Sequence, residues 1–136
     1  MATRGVYHFY NDIDELNEEK PVASIYRHWD NYLEGGGVDL KEFLETLRDT
    51  DMDSRFRDAP YLSAKFVVFL AQTFAGNWNE NPLDFLSVGV VKPKSDWGQD
   101  YDYHIVSQTQ DNGLPLVVFD SYDEEKKDLF KALEEL

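Results

Sequence analysis

The stretch YLSAKFVVFLAQTFAG, residues 61–76, constrains the fold more than any other. Its apolar residues run nearly all round a helical wheel, which predicts a buried central helix. Pro60 sits where a helix starts and Gly76 where one stops. Such a helix needs a partner layer, and the flanking sequence supplies strands. GVYHFY (5–10) joins β-branched and aromatic residues in a short run and predicts a strand. PVASIYRHW (21–29) sets Val22, Ser24, Tyr26 and His28 against Ala23, Ile25, Arg27 and Trp29, the alternation of a second strand. These two are expected to pair as an antiparallel hairpin across a polar loop, 11–20.

VDLKEFLETL (38–47) changes period. Val38, Leu40, Phe43, Leu44 and Leu47 form one apolar stripe, and Asp39 with Glu42 has capping-box spacing. FLSVGVV (85–91) reads as a buried strand. YDYHIVSQT (101–109) and LPLVVFDSY (114–122) read as a hairpin, with Asn112-Gly113 favouring a primed turn. SYDE (121–124) again has capping-box spacing, and Leu129, Phe130, Leu133 and Leu136 share one face of a last helix. The predicted order is β-β-α-α-β-β-β-α. Runs of strands and runs of helices segregate, so the expected class is α+β: a mainly antiparallel sheet of about five strands packed with about three helices. A 42% hydrophobic content and 15% aromatic content support one core, and residues 1–136 are expected to form a single domain.

Charge sets the expected partners. Lys plus Arg number 13 against 27 Asp plus Glu, a net charge of −14. Such a surface repels phosphate backbones, so no direct nucleic-acid contact is expected. It serves solubility, or it docks on a basic protein partner in the manner of a nucleic-acid mimic. No apolar run approaches the roughly 18–20 residues that span a bilayer, so no membrane partner is expected. MATRGVYHFYND lacks the apolar core of a secretory signal, and there is no cysteine, so the expected location is cytoplasmic, without disulfide or thiolate chemistry.

Motifs for catalysis and metals are weak. DTDMDSRFRD (49–58) spaces Asp49, Asp51 and Asp53 as in a calcium loop, but Ser54 replaces the turn glycine and Pro60 the bidentate acid. His8, His28 and His104 each fall on a predicted strand without a local partner, so each is expected to be structural and no metal is expected. EGGGVDL (34–40) places glycines before a helix but lacks the lysine of a phosphate-binding loop. No dinucleotide fingerprint or serine elbow appears, and no cofactor is expected. Trp29, Tyr32, Trp78, Trp97, Tyr101 and Tyr103 suit either a pocket rim or the edge of a small core.

MATRG (1–5) and YRHWDNYLEGGGVDLKEFL (26–44) resemble a family of small uncharacterised bacterial and phage proteins. Its members begin Met-x-Thr-Arg and carry Tyr-x-x-Trp-Asp-x-Tyr-x-x-Gly-x-Gly before an amphipathic helix. LSVGVV and DYDYHIV resemble the family's second half. Where members usually carry glycine this chain has Asn31, which also tolerates positive φ. The resemblance implies that Thr3, Arg4, His28, Trp29, Asp30 and Tyr32 belong together. An Arg4–Asp30 bidentate pair near Tyr32 is the expected form, as a clamp or as a pocket lining. An N-terminal nucleophile is disfavoured, because removal of Met1 leaves Ala2.

The candidate binding set is Arg4, Arg27, His28, Trp29, Asp30 and Tyr32; no catalytic residue is assigned. The leading expectation is a small acidic, non-catalytic binding or inhibitory protein, phage-borne and anti-defence, acting on a basic protein. One alternative is a pocket for a small anionic, nucleotide-like ligand, with Arg4 on the anion and Trp29 stacked on the base. Another is a small hydrolase with His28 as base and Asp30 as its orienter.

Overall fold

The structure is a computed structural model that describes residues 2–50, 56, 58–78 and 86–136, with the main chain alone at 74–78. Among these residues it is an α+β fold with one six-stranded sheet and four helices. The strands are β1 (Gly5–Tyr10), β2 (Ala23–Arg27), β3 (Val88–Val91), β4 (Tyr101–Thr109), β5 (Pro115–Ser121) and β6 (Glu124–Asp128). The helices are α1 (Ile13–Asn17), α2 (Val38–Asp49), α3 (Ala59–Trp78) and α4 (Leu129–Glu134). A five-residue π-helical turn, Leu33–Gly37, leads into α2. Sheet order is β3-β2-β1-β4-β5-β6. Every pairing is antiparallel except β1 with β4, which is parallel and lies at the centre.

The expected β1–β2 pairing is present, with Tyr7 opposite Ile25 and His8 opposite Ser24. Side chains alternate across a sheet, so each strand feeds two faces. Tyr7, Phe9, Ile25, Tyr103, Ile105, Val117 and Phe119 point to one face and join Leu40, Phe43, Leu44, Leu62, Phe66 and Leu70 from α2 and α3 in the main core. The opposite face carries His8, Tyr10, Ser24, Asp102, His104 and Asp120. Its apolar part is small: Tyr10, Leu16 and Val106, with Leu116 and Val118 packed beside them.

Several expectations are corrected. α3 is amphipathic rather than buried all round, because it lies on only one face of the sheet; Leu62, Phe66 and Leu70 are buried while Tyr61 and Val68 are exposed. Residues 13–17 form a helix rather than loop, capped where the Glu15 amide donates to Asp12 Oδ1 at 2.9 Å. β3 is an edge strand with Val90 83% exposed, so its apolar run does not mark burial. At 110–113 only Gly113 has positive φ, and its amide donates to Gln110 O; the turn is a type I turn closed by a left-handed glycine, not a primed turn. Residues 121–124 close a hairpin instead of capping a helix. EEKKD forms β6, which is exposed along most of its length and so shows no apolar alternation, and Asp128 caps α4 by accepting from the Lys131 amide at 3.1 Å. The Asp39 cap on α2 is also absent; that carboxylate pairs with Arg27.

Candidate functional site

The Trp-Asp tract and the Thr-Arg start do meet, through residues other than those expected. Asn31 is fully buried. Its Nδ2 shares two N–H groups among the carbonyls of Thr3 (2.9 Å), Arg27 (2.7 Å) and Trp29 (3.0 Å). Its Oδ1 accepts from the Tyr7 hydroxyl at 2.6 Å, and its carbonyl accepts from Tyr103 at 2.6 Å. Burial pushes the Tyr7 phenol far above its ordinary range, against the pull of the nearby Arg27 guanidinium, so it stays a donor. The positive φ falls on Asp30 (60°), not on Asn31. This knot pins the chain start to the turn after β2 and has no room left for a ligand.

The expected Arg4–Asp30 pair is not formed. Arg4 is held through its main chain: its amide donates to Asp100 Oδ2 at 3.1 Å and its carbonyl accepts from the Asp100 and Tyr101 amides. Arg27 lies on the helix-covered face, 3.0 Å from Asp39. His28 Nδ1 lies 2.6 Å from the Tyr26 hydroxyl, and its ring meets Trp29 edge-on at 4.4 Å. No hydrogen bond joins His28 to Asp30 among the described residues. Trp29, Asp30 and Tyr32 are exposed. Tyr103 belongs to the core, not to a rim, and the Trp78 side chain lies outside the described residues. Most of the aspartate run 49–58 lies outside them as well. Among the described residues no group of three or more His, Asp or Glu is placed to hold a metal ion.

The sheet's other face gathers a different set. The parallel register of β1 and β4 puts His8 opposite His104, and their rings stack at 5.1 Å and 18°. His8 Nε2 lies 2.8 Å from Asp102 Oδ1, and its Nδ1 lies 2.9 Å from Ser24 Oγ. His104 Nε2 lies 2.6 Å from Asp120 Oδ1, and its Nδ1 lies 2.8 Å from the Tyr10 hydroxyl. The result is two histidine–aspartate couples side by side, each backed by a hydroxyl. Burial alone would raise the Asp102 pKa; the hydrogen bond and charge of His8, with help from Gln99 and His104, outweigh it and hold the carboxyl below its ordinary value. An ionised Asp102 fixes the proton of His8 on Nε2, so Ser24 donates to Nδ1 while the ring is neutral. Burial lowers the His104 pKa; the Asp120 hydrogen bond opposes this without cancelling it.

A cavity of about 300 Å³ opens over these couples, floored by His8, His104, Asp102 and Asp120. One wall is the segment that carries Lys94, Ser95, Asp96 and Gln99. There the Gly98 amide donates to Asp96 Oδ1 at 2.8 Å, Gln99 Nε2 donates to Asp102 Oδ1 at 3.2 Å, and the Trp97 ring packs on Tyr26 at 5.2 Å. The two carboxylates, 25% and 30% exposed, open more fully onto the cavity than the histidines that line it beside them. What the arrangement offers chemically is a pair of fixed hydrogen-bond acceptors that can exchange protons with buried imidazoles.

The residues of this site lie far apart in the chain, and no local motif reports them. One signal was present: the dipeptide Tyr-His occurs twice, at 7–8 and 103–104, each time within a strand. Matched strands in register bring such repeats together, tyrosine to the core and histidine to the other face. No protein-family model, no curated protein and no solved structure matches the chain.

Proposed function

We propose that this chain is a non-catalytic binder of a small polar molecule, held in the cavity over β1, β4 and β5. One observation carries the reading: two carboxylates, each fixed by a buried histidine, open onto a shared cavity. Acceptors held in place before a ligand arrives lose little freedom on binding. Catalysis is less well served. All four ring nitrogens are engaged, and Ser24 is only 1% exposed, so neither imidazole nor the serine hydroxyl is free to act on a molecule in the cavity. Titrating a panel of small polar compounds into isotope-labelled protein tests this. A ligand is expected to shift the resonances of His8, His104 and Gln99 saturably. Compounds that perturb only residues away from the polar face would refute it.

A second reading keeps the acidic exterior in view. Trp29 (51% exposed) and Trp97 (46% exposed) flank the Tyr26–His28 ring pair, and the exposed Asp30 and Tyr32 follow Trp29 in the chain, an aromatic and acidic rim suited to a basic protein partner. The resemblance to phage and bacterial proteins supports an inhibitory, anti-defence role for that rim. Capture of a basic partner that weakens steeply with salt is expected, and loss of capture in Trp29→Ala places it at the rim. Capture indifferent to salt would remove this reading.

A further inference from the structure

We infer that the cavity takes a small organic cation, with an alkylammonium or guanidinium group seated between Asp102 and Asp120. This rests on the pocket reading above. Asp102 and Asp120 stand directly opposite each other on β4 and β5. Like charges facing across two strands repel, so positive charge beside them stabilises the fold. The histidines supply it incompletely. Both rings are buried, and at a stacking distance of 5.1 Å a charge on one disfavours a charge on the other. Burial also holds the His104 pKa below its ordinary value, so that ring does not cancel the charge of Asp120.

The other charged groups facing the cavity do not close the gap. Lys126 from β6 lies 3.9 Å from Glu19, beyond α1, and is drawn to that carboxylate. Among the described residues, Lys94 is then the one cation left to face Asp96, Asp102 and Asp120. The hydrogen bonds point the same way. His8 and Gln99 both use Asp102 Oδ1, and His104 uses Asp120 Oδ1. Oδ2 of each carboxylate has no hydrogen-bond partner among the described residues. The site thus holds spare acceptors and an excess of negative charge. Ammonium and guanidinium groups are donors without acceptors, and they match both features. Tyr10 and Pro21 give the cavity an apolar flank for a methylene stem. A volume of about 300 Å³ is at the small end for ligand pockets. A phosphate would meet the carboxylates, so the chemistry of this site runs against a nucleotide-like ligand.

Calorimetry and histidine-ring NMR at pH 8, with four probes, test the assignment: 1,4-diaminobutane, guanidinium chloride, butane-1,4-diol and adenosine monophosphate. The two cations are expected to bind saturably and to shift the His8 and His104 resonances; the diol and the nucleotide are not. Asp120→Asn is expected to weaken the cations about tenfold or more, the loss of one charge-assisted hydrogen bond. Lys94→Gln, at an exposed position, is expected to tighten them and does not depend on the core surviving a change. Cation binding that is equal in wild type and both variants is attraction to an acidic surface and overturns the inference. If the diol or the nucleotide shifts the histidines and neither cation does, the cation assignment fails while the pocket reading stands. If no probe moves those resonances, both fail.

Discussion

Replacing Asn31 by alanine tests the reasoning about the buried knot most directly. The side-chain amide shares its two N–H groups among three carbonyls and accepts one bond from Tyr7. Thr3 O retains a second partner, the Asn31 amide at 3.1 Å, so its loss is small. The Arg27 and Trp29 carbonyls each lose a donor, and the Tyr7 hydroxyl loses its acceptor while the Arg27 guanidinium stays beside it. A buried polar group left short costs about 1–3 kcal/mol, and with partial relaxation the three together come to about 3–4 kcal/mol. A domain of this size has about 5–15 kcal/mol in all. At a urea m-value of about 2 kcal/mol/M, the midpoint falls by about 1.5–2 M. Urea unfolding followed by tryptophan fluorescence reads this out. A midpoint within about 0.3 M of wild type would mean that water or a shifted backbone replaces the asparagine, and the account of the knot would be wrong. Asn31→Asp sharpens the test. A carboxylate there faces three carbonyl oxygens, so the folded state favours its protonated form. Its deficit against wild type is therefore expected to shrink as pH falls and to grow as pH rises.

Other expectations follow from the same contacts. An added Cβ at Gly36 would sit 2.3 Å from the Tyr7 hydroxyl and 2.9 Å from Asn31 Cα, so Gly36→Ala is expected to cost about 3 kcal/mol in denaturant unfolding. His104 has a folded pKa below its ordinary 6.5, so the unfolded chain takes up a proton first as pH falls; melting temperature is expected to drop from about pH 6.5 downward, and His104→Gln to remove that part of the slope. Asp102, lowered from 3.8, contributes stability above that value that is lost as pH falls further, so a second decline below about pH 4 is expected in wild type and is absent in Asp102→Asn. Trp97→Ala removes the ring that packs on Tyr26 and is expected to speed amide exchange across 95–100 while costing only about 1 kcal/mol of global stability.

The sequence is most informative where periodicity is strong. Tyr101–Thr109 is a strand over the very span its alternation predicts, and Leu40, Phe43 and Leu44 face the core as their spacing requires. It is least informative where exposure removes the pattern. β6 reads Glu-Glu-Lys-Lys-Asp, and nothing in such a run distinguishes an edge strand from a solvated helix. β3 errs in the opposite direction, because an apolar run at a sheet edge looks the same as one in the middle. The site was illegible for a third reason. Arg4, His28 and Asp30 are close in the sequence or joined by the hairpin, so local reasoning reaches them. His8 and His104 are joined only by parallel pairing, which no local turn announces. Arg27 shows the limit of reading a residue type by itself. An arginine beside a histidine suggests a surface site, yet alternation sends it to the helix-covered face and to Asp39.

The parallel join between residues 5–10 and 101–106 also fixes when the molecule becomes competent. Contacts this remote in sequence close late, after the local hairpins, and they slow folding. A chain interrupted before β4 would hold one of the cavity's two histidines, neither acidic anchor, and an unpaired edge along β1. The proposed pocket is therefore all or nothing: its floor exists only once β4 and β5 have been made and have paired with β1.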